Sequence, residues 1–256
     1  MISLGFKDRN VLITGGTSGI GLAAADLFAG EQARVGIVGR SVDRMDAALK
    51  KLRASHPEAK IVGYVGDVAD EGSMRNAVAS IASELGGIDH VVNSAGIAGP
   101  LGDPVDQVSA EDFLEVQRVN VLGAFLAVKI ALPYLKEGVD PTYTLVGSDS
   151  GFVTAPGMLA YNASKGAVVQ LTRALSVELH APYGIRVNSV CPSIVDTPMS
   201  RDGMGVESFA GADYPVSTPE QIAWLVLSLA SPNSITVNGA SLLADYGYHA
   251  ISSFPA

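Results

Sequence analysis

Short runs of Val, Ile and Leu alternate along the chain with longer stretches in which apolar residues recur every three or four positions. The runs at 10–14, 34–38, 61–65, 88–93, 143–147, 185–190 and 241–244 are nearly continuous, as strands buried on both faces are. The stretches 19–30, 42–54, 71–85, 110–135, 161–180 and 219–230 carry the helical period. Such alternation predicts an α/β fold, a doubly wound, seven-stranded parallel sheet with helices on both faces, in a single domain over residues 1–256. One segment, 192–218, has no clear period and holds Pro198, Gly203, Gly205, Gly211 and Pro215. A loop of that length in a compact domain reads as a lid or substrate-binding segment.

Composition narrows the partners. A net charge of −9 argues against nucleic acid and against an anionic membrane surface, both of which need clustered Lys and Arg, and leaves small molecules. The lone Cys191 allows no intrachain disulfide and no cysteine metal cluster, and is expected as a small buried hydrophobe. His56, His90, His180 and His249 have no ligand spacing, so no metal site is expected and the four are read as surface or capping residues. The six residues before Lys7 are too short for a signal-peptide core, and no uninterrupted apolar run reaches the roughly 18 residues of a membrane span. A cytoplasmic protein is expected.

Candidate chemistry begins at the end of the first strand, where Val11-Leu-Ile-Thr14 runs into a glycine-rich turn with glycines at 15, 19 and 21. A strand-to-helix turn of this kind admits a dinucleotide pyrophosphate to backbone N–H groups at a helix N-terminus, the arrangement of a Rossmann-like fold. Gly15, Thr17, Ser18, Gly19, Ile20 and Gly21 are therefore cofactor candidates. About twenty residues on, an acidic side chain would accept from the ribose of NAD; Gly39-Arg40 stands there instead, and a guanidinium favours the 2′-phosphate of NADP. Asp67, after the third strand, is either an acceptor for the adenine amine or a helix N-cap. Further along, Tyr161 and Lys165 are four residues apart and share a helix face, so the ammonium can lie beside the phenol and favour its ionised form, as acid/base work requires. Ser148 precedes the tyrosine by thirteen residues.

On these residues the chain resembles the short-chain dehydrogenase/reductase family from about residue 6 to about residue 248. The turn matches the family's Thr-Gly-x3-Gly-x-Gly; Asn93-Ser-Ala-Gly96 is similar to its Asn-Asn-Ala-Gly; Asn120, Ser148, Tyr161 and Lys165 fall on its catalytic positions. The resemblance implies Tyr161 as acid/base, Ser148 as hydrogen-bond donor to the reacting oxygen, Lys165 on the tyrosine and the nicotinamide ribose, and Asn120 holding a water that links Lys165 to solvent. It further implies Asp67 and Val68 at the adenine, Asn93, Ala95 and Gly96 at the adenosine ribose, and Val195 and Thr197 at the carboxamide and phosphates. Four positions depart from the family pattern: Ser94, Asp149, Ser193 and Ala244-Asp-Tyr-Gly247.

The leading expectation is an NADP(H)-dependent oxidoreductase interconverting a small secondary alcohol and its ketone, in a mainly apolar pocket without Arg or Lys. Two alternatives stay open: an NAD-dependent alcohol or diol dehydrogenase, since Arg40 is the only evident cation for a 2′-phosphate, and a catalytically silent nucleotide-binding regulator. The family also implies a homotetramer, or a homodimer, built on the helices at 110–135 and 161–180 and on the last strand. The aromatic C-terminus, Tyr246, Tyr248, His249 and Phe254, is expected to reach a neighbouring subunit's site.

Overall fold

The computed structural model describes residues 4–251; Phe254 lies outside the described residues. Seven parallel strands, β1 (Asn10–Thr14), β2 (Arg34–Gly39), β3 (Ile61–Val65), β4 (His90–Asn93), β5 (Thr142–Val146), β6 (Arg186–Pro192) and β7 (Ser241–Ala244), stand in the order β3-β2-β1-β4-β5-β6-β7. The predicted strands all form, with boundaries moved by at most two residues. Alternate residues of each strand face opposite layers. Leu12, Val91, Tyr143 and Val187 pack under α3 (Glu71–Leu85), α5 (Gly123–Leu135) and α6 (Leu159–Tyr183). Val11, Ile13, Ile37, Val92 and Val190 pack under α1 (Gly19–Gly30), α2 (Val42–Ser55) and α8 (Pro219–Ala230).

Two expected elements are reshaped. The helical stretch 110–135 comprises α4 (Ala110–Gln117), a π-helical turn (Arg118–Leu122) and α5. The π turn sets Asn120 inward, 2% exposed, where a regular helix would have continued without a break. Ala110–Leu135 is also long and apolar enough to cross a membrane by length and composition, but its apolar positions are those of a core helix: Leu126, Val128, Ile130 and Leu135 are buried against the sheet layer. The segment at 192–218 is not all loop. Pro192 closes β6, and α7 (Pro198–Met204) folds within it, N-capped by Thr197, whose Oγ1 accepts from Ser200 N–H at 3.3 Å. Seven residues are too few to display a period.

At the far edge of the site-bearing half, Arg186 is buried, and its guanidinium donates to the carbonyls of Leu229, Val237, Ala230 and Ser231 at 2.8–3.2 Å. It thereby satisfies the C-terminal carbonyls of α8 and anchors that helix to β6. His90, expected as a surface or capping residue, is buried in β4: its Nδ1 pairs with Thr142 Oγ1 at 2.9 Å, its ring meets Phe6 edge-on, and Nε2 has no partner among the described residues. The apolar period of the strand, with Ile88, Val91 and Val92 around it, carries the histidine inside.

Burial holds His90 down, from 6.5 to about 4, against the opposing pull of the Asp89 carboxylate. The unfolded chain therefore takes a proton that the folded chain refuses until near pH 4, so stability present above pH 6.5 is lost as pH falls through that window. The expected loss from this group is on the order of 3 kcal/mol. Denaturant titrations of wild type and His90→Phe at pH 7 and pH 4.5 check it: the variant should lose distinctly less stability between them, and equal losses would exclude His90 as the cause.

Candidate active site

Strand order reverses between β1 and β4, and ligands of doubly wound sheets bind where the carboxyl ends part at such a point. Here the two ends are tied together before they part. Thr14 Oγ1–H donates to Asn93 Oδ1 at 2.9 Å, and the Ala95 N–H approaches Thr14 Oγ1 at 3.4 Å. Asn93, expected at the adenosine ribose, is thus buried at 4% exposure and does not reach the cleft; its neighbours Ser94, Ala95 and Gly96 line it.

The cleft over this point has a volume of about 460 Å³. Its floor is the turn after β1. Gly15 adopts φ 68°, and a Cβ there would come within 2.7 Å of the Ala95 nitrogen. Gly21 is not in the wall: it lies beneath the turn, where a Cβ would run into the Gly15 carbonyl oxygen. Thr17, Ser18, Gly19 and Ile20 do line the cleft, and Ser18, the N-cap of α1, gives that helix no side-chain cap. The first N–H groups of α1 are left for an anion, so the turn fits a dinucleotide pyrophosphate.

At the end of β2 the wall is Gly39, Arg40 and Ser41, with Arg44 beside them. Arg44 escaped the sequence reading, although a cation four residues after Arg40 in the first turn of a helix was there to be noticed. Ser41 fixes that turn by accepting from the Arg44 N–H at 3.3 Å. Among the described residues, no Asp or Glu lines this cleft. Asp67 follows β3 but is not the N-cap of α3, which is Asp70. Its carboxylate accepts from the Ala69 N–H at 2.9 Å and stands 3.9 Å from Arg118; Gly66 and Val68 form the wall there instead. Val195 and Thr197 close the opposite side.

A second cavity, about 670 Å³, adjoins the first, and Ser148, Tyr161 and Ser193 line both. Ser148 stands two residues past β5 in extended conformation, and Tyr161 and Lys165 rise from the first turns of α6. Lys165 is buried, 7% exposed; its Nζ donates to the Val146 carbonyl at 3.0 Å and stands 5.5 Å from the Tyr161 ring centre. Asn120 is fully engaged: Oδ1 accepts from Ile97 N–H at 2.8 Å, while Nδ2 donates to Ile97 O and to Ser164 Oγ, each at 2.9 Å. The Ser164 hydroxyl in turn donates to the Tyr161 carbonyl at 2.7 Å. Asn120 thereby joins the segment after β4 to the turn that carries Tyr161. Sequence reasoning missed Ser164, whose role only the folded neighbourhood reveals. Beneath Ser148, Cys191 is fully buried and burial pushes its thiol up, as a small hydrophobe requires.

The walls of the second cavity come from residues 98–102 and 149–158, from the 192–218 segment, with Ile194, Met199, Met204 and Tyr214, and from the C-terminal stretch, with Tyr246, Tyr248 and Ile251. The described tail lines its own chain's cavity. Asp245 anchors it. Despite burial, hydrogen bonds from the backbone and ring of His249 and from the Gly247 N–H hold its carboxyl below the usual range.

The chain matches a family model described as enoyl-(acyl carrier protein) reductase over residues 15–249. It is 35% identical over 250 residues to 2-(R)-hydroxypropyl-CoM dehydrogenase of Xanthobacter autotrophicus, spanning 95% of this chain and 99% of that one. It is 32% identical over 252 residues to the NADP-dependent (R)-specific alcohol dehydrogenase of Lentilactobacillus kefiri, spanning 95% and 98%. The crystal structure of levodione reductase superposes with a TM-score of 0.89 at 30% identity, covering 96% of this chain and all of the other.

Gly15→Ala tests the cradle. Strain at positive φ and the collision with the segment after β4 should cost roughly 1–3 kcal/mol and weaken NADPH binding at least about tenfold. Thermal unfolding with and without NADPH reads both effects; an unchanged stabilisation by NADPH would contradict the assigned cradle.

Proposed function

The chain belongs to the short-chain dehydrogenase/reductase family and is an oxidoreductase of CH–OH and C=O groups, and from that premise we propose that it interconverts a small secondary alcohol and its ketone with NADP(H). The observation that carries the reading is the meeting of a dinucleotide-sized cleft and a second cavity at Ser148 and Tyr161. When bound, the nicotinamide supplies the hydride to the carbonyl carbon or takes it from the carbinol carbon. The Tyr161 hydroxyl gives the proton to the substrate oxygen in reduction and removes it in oxidation. Ser148 Oγ–H donates to the same oxygen as its charge grows. Lys165 keeps its ammonium beside Tyr161 by its bond to the Val146 carbonyl. Asn120 and Ser164 hold the first turn of α6 against the segment after β4.

Arg40 and Arg44 together, on a cleft without carboxylates among the described residues, support NADP(H) over NAD(H). The second cation removes the main reason for preferring an NAD-linked enzyme, and the NADP-dependent relative points the same way. The reading carries with it a cytoplasmic enzyme without nucleic-acid or membrane partners. It extends to a homotetramer, since Leu114, Phe125 and Val177 expose apolar side chains on α4, α5 and α6.

Two variants test this. Tyr161→Phe should lower kcat at least about a hundredfold while NADPH still binds, and retained turnover would overturn the acid/base assignment. Wild type should bind NADPH about 10–100-fold tighter than NADH, and Arg40→Ala with Arg44→Ala should remove that gap. Equal binding of the two cofactors by wild type, read from quenching of Trp224, would return the NAD-linked alternative.

A further inference from the structure

Asp149 is not accounted for by the chemistry above. It follows Ser148, begins the 3-10 turn Asp149–Gly151 and lines the second cavity. Its Oδ1 accepts the Ser148 hydroxyl proton at 3.1 Å, while Ser148 Oγ accepts the Ser150 N–H at 3.1 Å. The single proton of Ser148 is therefore directed at a carboxylate. To donate to a substrate oxygen the hydroxyl must turn away, and Asp149 then loses that hydrogen bond. The other carboxylate oxygen accepts from none of the described residues, so none of them replaces it.

Charge around this position has one sign. Asp149 and Asp245 are the only charged residues lining the second cavity among those described, and Asp245 is already paired with His249 at 2.8 Å. Lys165 lines the neighbouring cleft and is engaged by the Val146 carbonyl. Elsewhere the walls carry no charge: Val153, Pro156, Ile194, Tyr214 and Tyr248 make them largely apolar or aromatic, with hydroxyls from Ser150, Thr154, Ser193 and Ser200. An anionic substrate would meet a carboxylate beside the reacting oxygen, while the nearby cation, Lys165, is held at Val146 and Tyr161 and does not line this cavity.

We propose that Asp149 sets substrate class: the enzyme prefers alcohols and ketones that carry a hydrogen-bond donor, ammonium above hydroxyl, on the carbon next to the reacting one. The donor replaces Ser148 on the Asp149 carboxylate, and the Ser148 hydroxyl is released to the reacting oxygen. Substrate and protein exchange partners, so neither the carboxylate nor the oxyanion is left unpaired. The inference rests on the secondary alcohol/ketone reading of the site.

The test is NADP+-dependent oxidation of four alcohols CH3–CH(OH)–X that differ only at X: 1-amino-2-propanol, 1,2-propanediol, 2-butanol and lactate. For wild type, kcat/KM should be about tenfold or more higher for the amino alcohol than for 2-butanol, with the diol between them and lactate at least about tenfold below 2-butanol. The readout for Asp149→Asn is the same set of ratios, whatever its absolute rate, with NADPH binding and the melting temperature confirming the fold. The ratios should collapse to within about threefold of one another. Equal ratios in wild type, or ratios unchanged in Asp149→Asn, overturn the role of Asp149 and leave the oxidoreductase reading standing. Oxidation of none of the four overturns that reading, and this inference with it.

Discussion

The hydrogen bond from Thr14 to Asn93 fixes how the two halves of the sheet diverge. These residues face each other in register at the last paired position of β1 and β4, and beyond them the chain leaves the sheet in opposite directions. Gly15 can lie against Ala95 only because it has no side chain, and that contact brings the N-terminus of α1 and the Ser94–Gly96 segment to one cleft. The same segment continues to Ile97, which holds Asn120, which holds Ser164 and the first turn of α6. A continuous chain of short bonds thus runs from the cofactor turn to the backbone of Tyr161.

That continuity gives the site its rigidity where rigidity is needed. Lys165 sits buried on a strand carbonyl, and Ser148 leaves β5 in an extended conformation, so both rest on the sheet. The walls that face substrate are built differently. They come from the segment around α7 and from the stretch after β7, elements tied down by local caps such as Thr197 on Ser200 and Asp245 on His249. On the proposed function, chemistry rests on the core, and substrate choice rests on pieces that can vary without disturbing it.

The strands and most helices were legible because burial on both faces of a parallel sheet writes continuous apolar runs into the sequence. The site was legible where spacing alone determines proximity, as for Tyr161 and Lys165 on one helix face, or where backbone geometry demands a residue type, as at Gly15. It was not legible where one side chain had two plausible uses. Asn93 ends β4 and Asp67 follows β3, yet the Asn93 side chain is taken by Thr14 and the Asp67 carboxylate by the Ala69 N–H. Ser164 was hidden because its significance depends on which face of α6 turns toward Asn120, whereas the spacing of Arg44 from Arg40 was open to reading. His90 was misread since a lone histidine in an apolar run gives no sign of its Thr142 partner, 52 residues away.

In the proposed reaction hydride crosses from the first cavity to the second, where Ser148 and Tyr161 line both. The most direct measurement is to incubate the protein with NADPH deuterated at C4 and a small ketone on which it consumes that cofactor, and to locate the label by mass spectrometry and NMR. Deuterium on the carbinol carbon of the product, from one face of the nicotinamide only, is the predicted result. Cofactor oxidation with no label on that carbon would contradict direct transfer and the assigned junction with it.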